Sequence, residues 1–81
     1  MKAAIRVGDQ VFAGRSHSDA LIAALASNIP VDLKRQATRA LESKNEDTGF
    51  LEDNGDFMTR AQAQEKYGCS TSEDMRLRGL I

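Results

Sequence analysis

Two side chains in this sequence are the only ones of their kind, and both are suited to covalent or acid–base chemistry: His17 and Cys69. A thiol and an imidazole form the minimal nucleophile-and-base arrangement, provided they lie within about 2.6–3.2 Å and a third group orients the ring. Asp19 and Asn28 are the candidates for that third group. Cys69 follows a predicted helix C-terminus, where the backbone dipole disfavours a thiolate; a new helical turn starting at Ser70 would reverse the sign. Each residue also has a plain structural role. His17 suits the first turn of a helix, and a single cysteine commonly packs as a small buried hydrophobe. The structural roles weigh more, because nothing in the sequence activates the thiol. As metal ligands the two lack the third and fourth partners that zinc needs.

Carboxylates make the second constellation. Between Glu46 and Asp56 there are five acidic residues (Glu46, Asp47, Glu52, Asp53 and Asp56) and no Lys or Arg. The run Asp53-Asn54-Gly55-Asp56 invites a calcium reading, but an EF-hand needs acids at alternating positions, glycine at the sixth and a distal glutamate at the twelfth. That spacing is absent, so neither a metal nor another cofactor is expected. Two roles remain for the acids: solubility with protection of a strand edge, or docking on a basic partner, where complementary charge speeds encounter and suppresses wrong partners. Glu73 and Asp74 add a further acidic pair near the C-terminus.

The net charge of −1 hides an asymmetry. Residues 1–45 carry seven basic and four acidic side chains, a net +3, and residues 46–81 carry four and eight, a net −4. Lys34, Arg35 and Arg39 are the best nucleic-acid candidates, yet few aromatics interleave with them and the basic footprint is modest, which argues against direct DNA or RNA binding. With 81 residues, 41% hydrophobic and 28% charged, the chain reads as one soluble globular domain over 1–81 with a thin core. Its longest apolar stretch, residues 20–26, is far short of the roughly 20 residues that span a bilayer. The N-terminal stretch shows no signal-peptide pattern. A lone cysteine suits a reducing cytoplasm.

These groups must be positioned by short elements. Residues 3–7 and 10–13 alternate around Gly8-Asp9 and read as a β-hairpin. Ser16 and Asp19 cap a helix over 17–27, with Leu21, Ile22 and Leu25 at helical spacing and Pro30 as its stop. Asp32 is positioned to cap a second helix over 33–44, whose apolar stripe is Leu33, Ala37, Ala40 and Leu41. Asn54-Gly55 predicts a second hairpin with a type I′ turn, pairing Asp53 with Asp56, Glu52 with Phe57 and Leu51 with Met58. Thr59 and Gln62 form a capping box for a helix over 60–67 that ends at Gly68. A final helical turn from Ser72 should carry Met75, Leu77, Leu80 and Ile81 to the core. The expected fold is α+β: a small antiparallel sheet of two β-hairpins packed against two or three helices, without internal repeats. Phe12, Leu21, Ile22, Leu25, Phe50, Leu51, Phe57 and Tyr67 are the expected main core residues. A monomer or weak homodimer is expected, the latter through an edge strand or the apolar C-terminus.

The string GFLEDNGDFMTRAQA, residues 49–63, resembles a pattern in small phage and prophage proteins: Gly-Phe-apolar, three variable residues, then Gly-x-Phe-apolar-x-Arg-x-x-Ala. Gly49, Phe50, Gly55, Phe57, Arg60 and Ala63 match it. Ala3-Ala4-Ile5, His17 and Ser72-Glu73-Asp74-Met75 repeat further features of such proteins. Gln62 departs from the usual Glu, and Gly68-Cys69 from a common Gly-Gln, which argues against thiol chemistry shared by the family. Within this group the chain is similar to anti-CRISPR inhibitors of type I-C systems. The resemblance implies a phage-derived inhibitor in the host bacterial cytoplasm that binds a Cas protein of the type I-C surveillance complex (Cascade) and blocks target DNA binding. The guide and target of such complexes lie in positively charged channels. Glu52, Asp53 and Asp56 would then meet those cations, with Glu46, Asp47, Glu73 and Asp74 as secondary contacts. A cysteine-dependent hydrolase or transferase using Cys69 and His17 is the alternative.

Overall fold

Alternation of small and branched residues in the first strand decides which face of the sheet is covered. The computed structural model describes residues 1–81. Strands β1 (Lys2–Val7) and β2 (Gln10–Gly14) form an antiparallel hairpin in which Val7 faces Gln10 and Ile5 faces Phe12. Gly8, at φ +60°, opens the two-residue turn. Strand β3 (Thr48–Leu51) pairs with the other edge of β1, Ala3 opposite Phe50 and Ile5 opposite Thr48. Strand β4 (Phe57–Thr59) completes an antiparallel sheet ordered β2-β1-β3-β4. Partners across a ladder share a face. Ala3, Ile5, Val7, Phe12, Thr48, Phe50 and Met58 therefore point to one side, and Lys2, Ala4, Arg6, Val11, Leu51 and Phe57 to the other.

Helices α1 (His17–Leu25), α2 (Val31–Ser43), α3 (Arg60–Tyr67) and α4 (Ser72–Leu77) cover the first side. Ser16 Oγ caps α1 by accepting from the Asp19 N–H at 3.2 Å. α2 begins two residues before its expected start. The Pro30 carbonyl takes the N–H groups of Leu33 and Lys34, and Asp32 sits inside the first turn, where its charge favours the dipole, rather than at the cap. In α3 the capping box is complete, with Gln62 N–H on Thr59 Oγ1 at 3.2 Å and Thr59 N–H on Gln62 Oε1 at 2.9 Å. α4 starts at Ser72 as expected, with Thr71 as its cap.

The order ββαα thus occurs twice, and β1 and β3 meet as antiparallel neighbours at the centre of the sheet. Each half has its own apolar cluster. Ile5, Val7, Ala20, Ala24, Ile29, Ala37 and Ala40 fill the first, flanked by Phe12, Leu21, Leu33 and Leu41. Phe50, Met58, Ala63, Cys69 and Met75 fill the second, flanked by Met1, Tyr67, Leu80 and Ile81.

Three expectations about the core need correction. α1 turns Ala20 and Ala24 inward and leaves Ile22 and Leu25 exposed. Close approach favours this at Ala20: a Cβ on Gly14 would stand 2.7 Å from Asp19 Cβ and 2.9 Å from the Ala20 nitrogen, so β2 and the start of α1 lie nearly in backbone contact there. Leu51 and Phe57 lie on the open side of the sheet, where the Arg6 guanidinium stacks 4.7 Å from the Phe57 ring centre. Leu77 is exposed, because Met75 takes the inward face of a helix only six residues long.

Candidate functional site

The Ser16 cap starts α1 so that His17 points down at the sheet between the two apolar clusters. Its ring meets Phe50 edge-on, 5.4 Å between centroids. Nε2 lies 2.7 Å from the Gly49 carbonyl oxygen and Nδ1 3.0 Å from Ser72 Oγ. A carbonyl only accepts, so Nε2 carries the proton; in the neutral ring Nδ1 then accepts from the Ser72 hydroxyl. Burial holds the imidazole below its ordinary value of 6.5, the Gly49 hydrogen bond opposes this, and the nearby Arg60 charge lowers it further. The ring is therefore neutral at pH 7, and both nitrogens are engaged.

Arg60, in the first turn of α3, extends the same seam. Its Nε donates to Thr48 Oγ1 at 3.0 Å and its Nη1 to the Ser70 carbonyl at 2.9 Å, while Thr48 Oγ1 donates to the Asn45 carbonyl at 2.8 Å. Burial depresses the guanidinium's proton affinity. The network ties α1, β3, α3 and α4 together. Cys69 is 2% exposed, and its thiol donates to Met75 Sδ at 3.5 Å. The hydrogen bonds of His17 and of Cys69 thus run to separate partners. Among the residues of this seam, the sequence offers only His17 as a candidate for chemistry. Gly49, Phe50 and Ser72, distant from His17 in the chain, meet its ring here, and Phe50 packs in turn with Ala63 and Met75.

The acidic residues fall in three places. Gly55 at φ +94° and Asn54 at negative φ exclude a type I′ turn. Glu52 N–H donates to the Asp56 carbonyl, and Gly55 N–H to the Glu52 carbonyl, both at 2.9 Å. The tip is thus a three-residue loop of the kind that ends in a left-handed glycine. Leu51 faces Phe57 and Phe50 faces Met58, one step from the expected register. Glu52 is only 18% exposed; its Oε2 accepts from Lys66 Nζ at 2.7 Å and from the Tyr67 hydroxyl at 3.2 Å. The Lys66 hydrogen bond holds the Glu52 carboxyl below, and the lysine above, their usual values. Asp53 pairs with the Met1 amino group at 2.5 Å, which lowers its pKa, yet its side chain is 93% exposed. Asp56 makes no ion pair. Glu46 and Asp47 lie beyond the opposite end of β3, roughly 13 Å of strand away, and Asp47 pairs with Arg6 at 3.2 Å. Glu73 and Asp74 occupy the first turn of α4, exposed and without an ion pair.

Lys34, Arg35 and Arg39 share the outward face of α2 with Val31, Thr38 and Glu42, and together with Leu25 they line a shallow groove. None of the three cations is in an ion pair. No three His, Cys, Asp or Glu side chains are grouped to hold a metal ion. No helix is long and apolar enough to cross a membrane. Set against known proteins, the chain matches no protein-family model, no curated protein and no solved structure, so its residues and geometry carry the functional reading.

Proposed function

We propose that the protein works by binding, as a phage-derived anti-CRISPR inhibitor of the type I-C surveillance complex in the host cytoplasm, and that it obstructs target DNA at a cationic surface of a Cas subunit. The observation that supports this best is the construction of the acidic hairpin tip. Glu52 is turned inward and bound by Lys66 and Tyr67, so it acts as a brace. The brace and the tight loop hold Asp53, 93% exposed, and the unpaired Asp56 outward. Carboxylates already fixed in place lose little freedom on docking. Asp53 and Asp56 thus become the primary contacts; Glu46 and Asp47 lie beyond the other end of β3, where Asp47 is paired with Arg6, and Glu73 and Asp74 sit on α4.

The buried thiol of Cys69, bound to Met75, and the two engaged nitrogens of His17 support binding over thiol catalysis. The test uses purified type I-C complex and labelled target duplex. Inhibition should require about one copy per complex, weaken as salt screens exposed charge, survive Cys69→Ser, and be lost in Asp53→Lys/Asp56→Lys with the far-UV spectrum unchanged. Full inhibition by the double reversal would sink the proposal, and inhibition far below stoichiometry that disappears with Cys69→Ser would establish the enzyme instead.

A further inference from the structure

Four large apolar side chains are left exposed: Ile22 at 63%, Leu25 at 42%, Val31 at 62% and Leu77 at 80%. Three of them gather at one site. Ile22 and Leu25 lie three residues apart on α1, and Leu25 and Val31 line the groove along α2. Val31, Lys34, Arg35, Thr38, Arg39 and Glu42 recur at helical spacing and so form one continuous face. Leu25 and Val31 give it aliphatic surface, and it carries three cations without an internal partner. The fourth, Leu77, closes α4, with Glu73 four residues and Asp74 three residues before it. These three share the outward face of that helix, opposite the fully buried Met75. Both acids also lack an ion pair.

We infer that the two sites are complementary parts of one contact: α4 of a second copy of this chain docks in the α1–α2 groove. The second copy's Leu77 would sit against Ile22, Leu25 and Val31, and its Glu73 and Asp74 would meet Lys34, Arg35 and Arg39. One contact then accounts for all four exposed apolar side chains and for both sets of unpaired charges. It also follows the net +3 of residues 1–45 and the net −4 of residues 46–81. An amphipathic helix laid in a helical groove is a recurring mode of recognition. A nucleic acid fits less well, because an aliphatic surface offers no aromatic face for a base. The contact joins different surfaces, so it is head-to-tail unless both are engaged at once about a two-fold axis. It involves neither Asp53 nor Asp56, so it stands or falls apart from the inhibitory tip.

Sedimentation velocity on the full chain, from about 5 to 500 µM in about 50 mM salt, tests it. The expected result is association that rises with concentration and weakens in high salt. Leu77→Asp and Arg35→Glu/Arg39→Glu should each raise the dissociation constant at least about tenfold, which corresponds to ~1.4 kcal/mol. Mixing Arg35→Glu/Arg39→Glu with Glu73→Lys/Asp74→Lys should restore association. All the substituted side chains are exposed, so folding should be retained, with circular dichroism as the control. A monomer throughout the range overturns the inference, as does association that Leu77→Asp leaves unchanged. A monomer that binds a labelled oligonucleotide through Arg35 and Arg39 would assign the groove to nucleic acid instead.

Discussion

The two ββαα halves share an order of elements and differ in what holds them. In the first, β1, β2, α1 and α2 close by contact: Ile5 and Val7 press on a floor of Ala20, Ala24, Ala37 and Ala40. The side-chain hydrogen bonds within that half are local, from Ser27, Thr38 and Ser43 to carbonyls of their own helices or turns. In the second, short elements are joined by long polar side chains. Arg60 reaches Thr48 and Ser70, Lys66 and Tyr67 reach Glu52, and Arg78 reaches the Tyr67 carbonyl. The second half has the shorter helices, and directional bonds carry more of its order. The first half leaves Ile22, Leu25 and Val31 exposed, and the second leaves Leu77 exposed together with Asp56, Glu73 and Asp74, which have no ion pair.

The strongest way to test this contrast is to empty each core in turn. Phe50→Ala and Ile5→Ala should cost about 3–5 and 2–5 kcal/mol, measured by urea unfolding. Phe50 also contacts His17, so its loss should loosen both halves, seen as lost exchange protection in α1 as well as α3; protection unchanged in α1 would separate the halves. Next is Arg60→Met, expected to cost about 1–2 kcal/mol after discounting for partial exposure. It should act on unfolding of the second half first.

His17 gives a pH test. Its folded value lies below 6.5, so the unfolded chain binds the additional proton. The stabilisation is present above the unfolded value and is lost as pH falls through the lowered folded value. Melting temperature should therefore drop as pH falls below the ordinary imidazole value of 6.5, and His17→Gln, itself costing about 1–3 kcal/mol, should flatten that slope. An equal slope in both proteins would show that the ring does not govern it. The smallest effect belongs to the Lys66–Glu52 pair on the surface. Lys66→Ala should shift the melt barely, and the shift should vanish in high salt. Its clearer readout is local, as faster amide exchange at Asp53 and Asn54.

Much of this was readable along the chain where the determinant is local. Both hairpins, the caps at Ser16 and Thr59, the capping box with Gln62 and the Gly68 stop depend on neighbours three or four residues away. The tip register was not legible. Asn54-Gly55 suits two loop types equally well, and the choice belongs to the sheet: Phe50 and Met58 must both face the helices, while Thr59 turns out to cap α3. A one-residue slip would reverse every one of those directions. The α1 face failed for a related reason. Its large residues Ile22 and Leu25 mark a hydrophobic stripe, but α1 packs on β2 at Gly14 with Ala20 and Ala24 inward.

The linear order of residues by itself determined the α+β class, the elements, the caps of α1 and α3 and the gathering of acids on one short hairpin, because propensity, capping and turn chemistry act over a few residues. Only the tertiary structure decided that the acids divide among three places, that Glu52 braces rather than binds, and that His17, Thr48, Arg60 and Ser72 form one seam. Those outcomes depend on which side chains share a face and which find a charge or hydrogen-bond partner up to some fifty residues away. No local pattern encodes that, since burial and pairing are properties of the assembled layers.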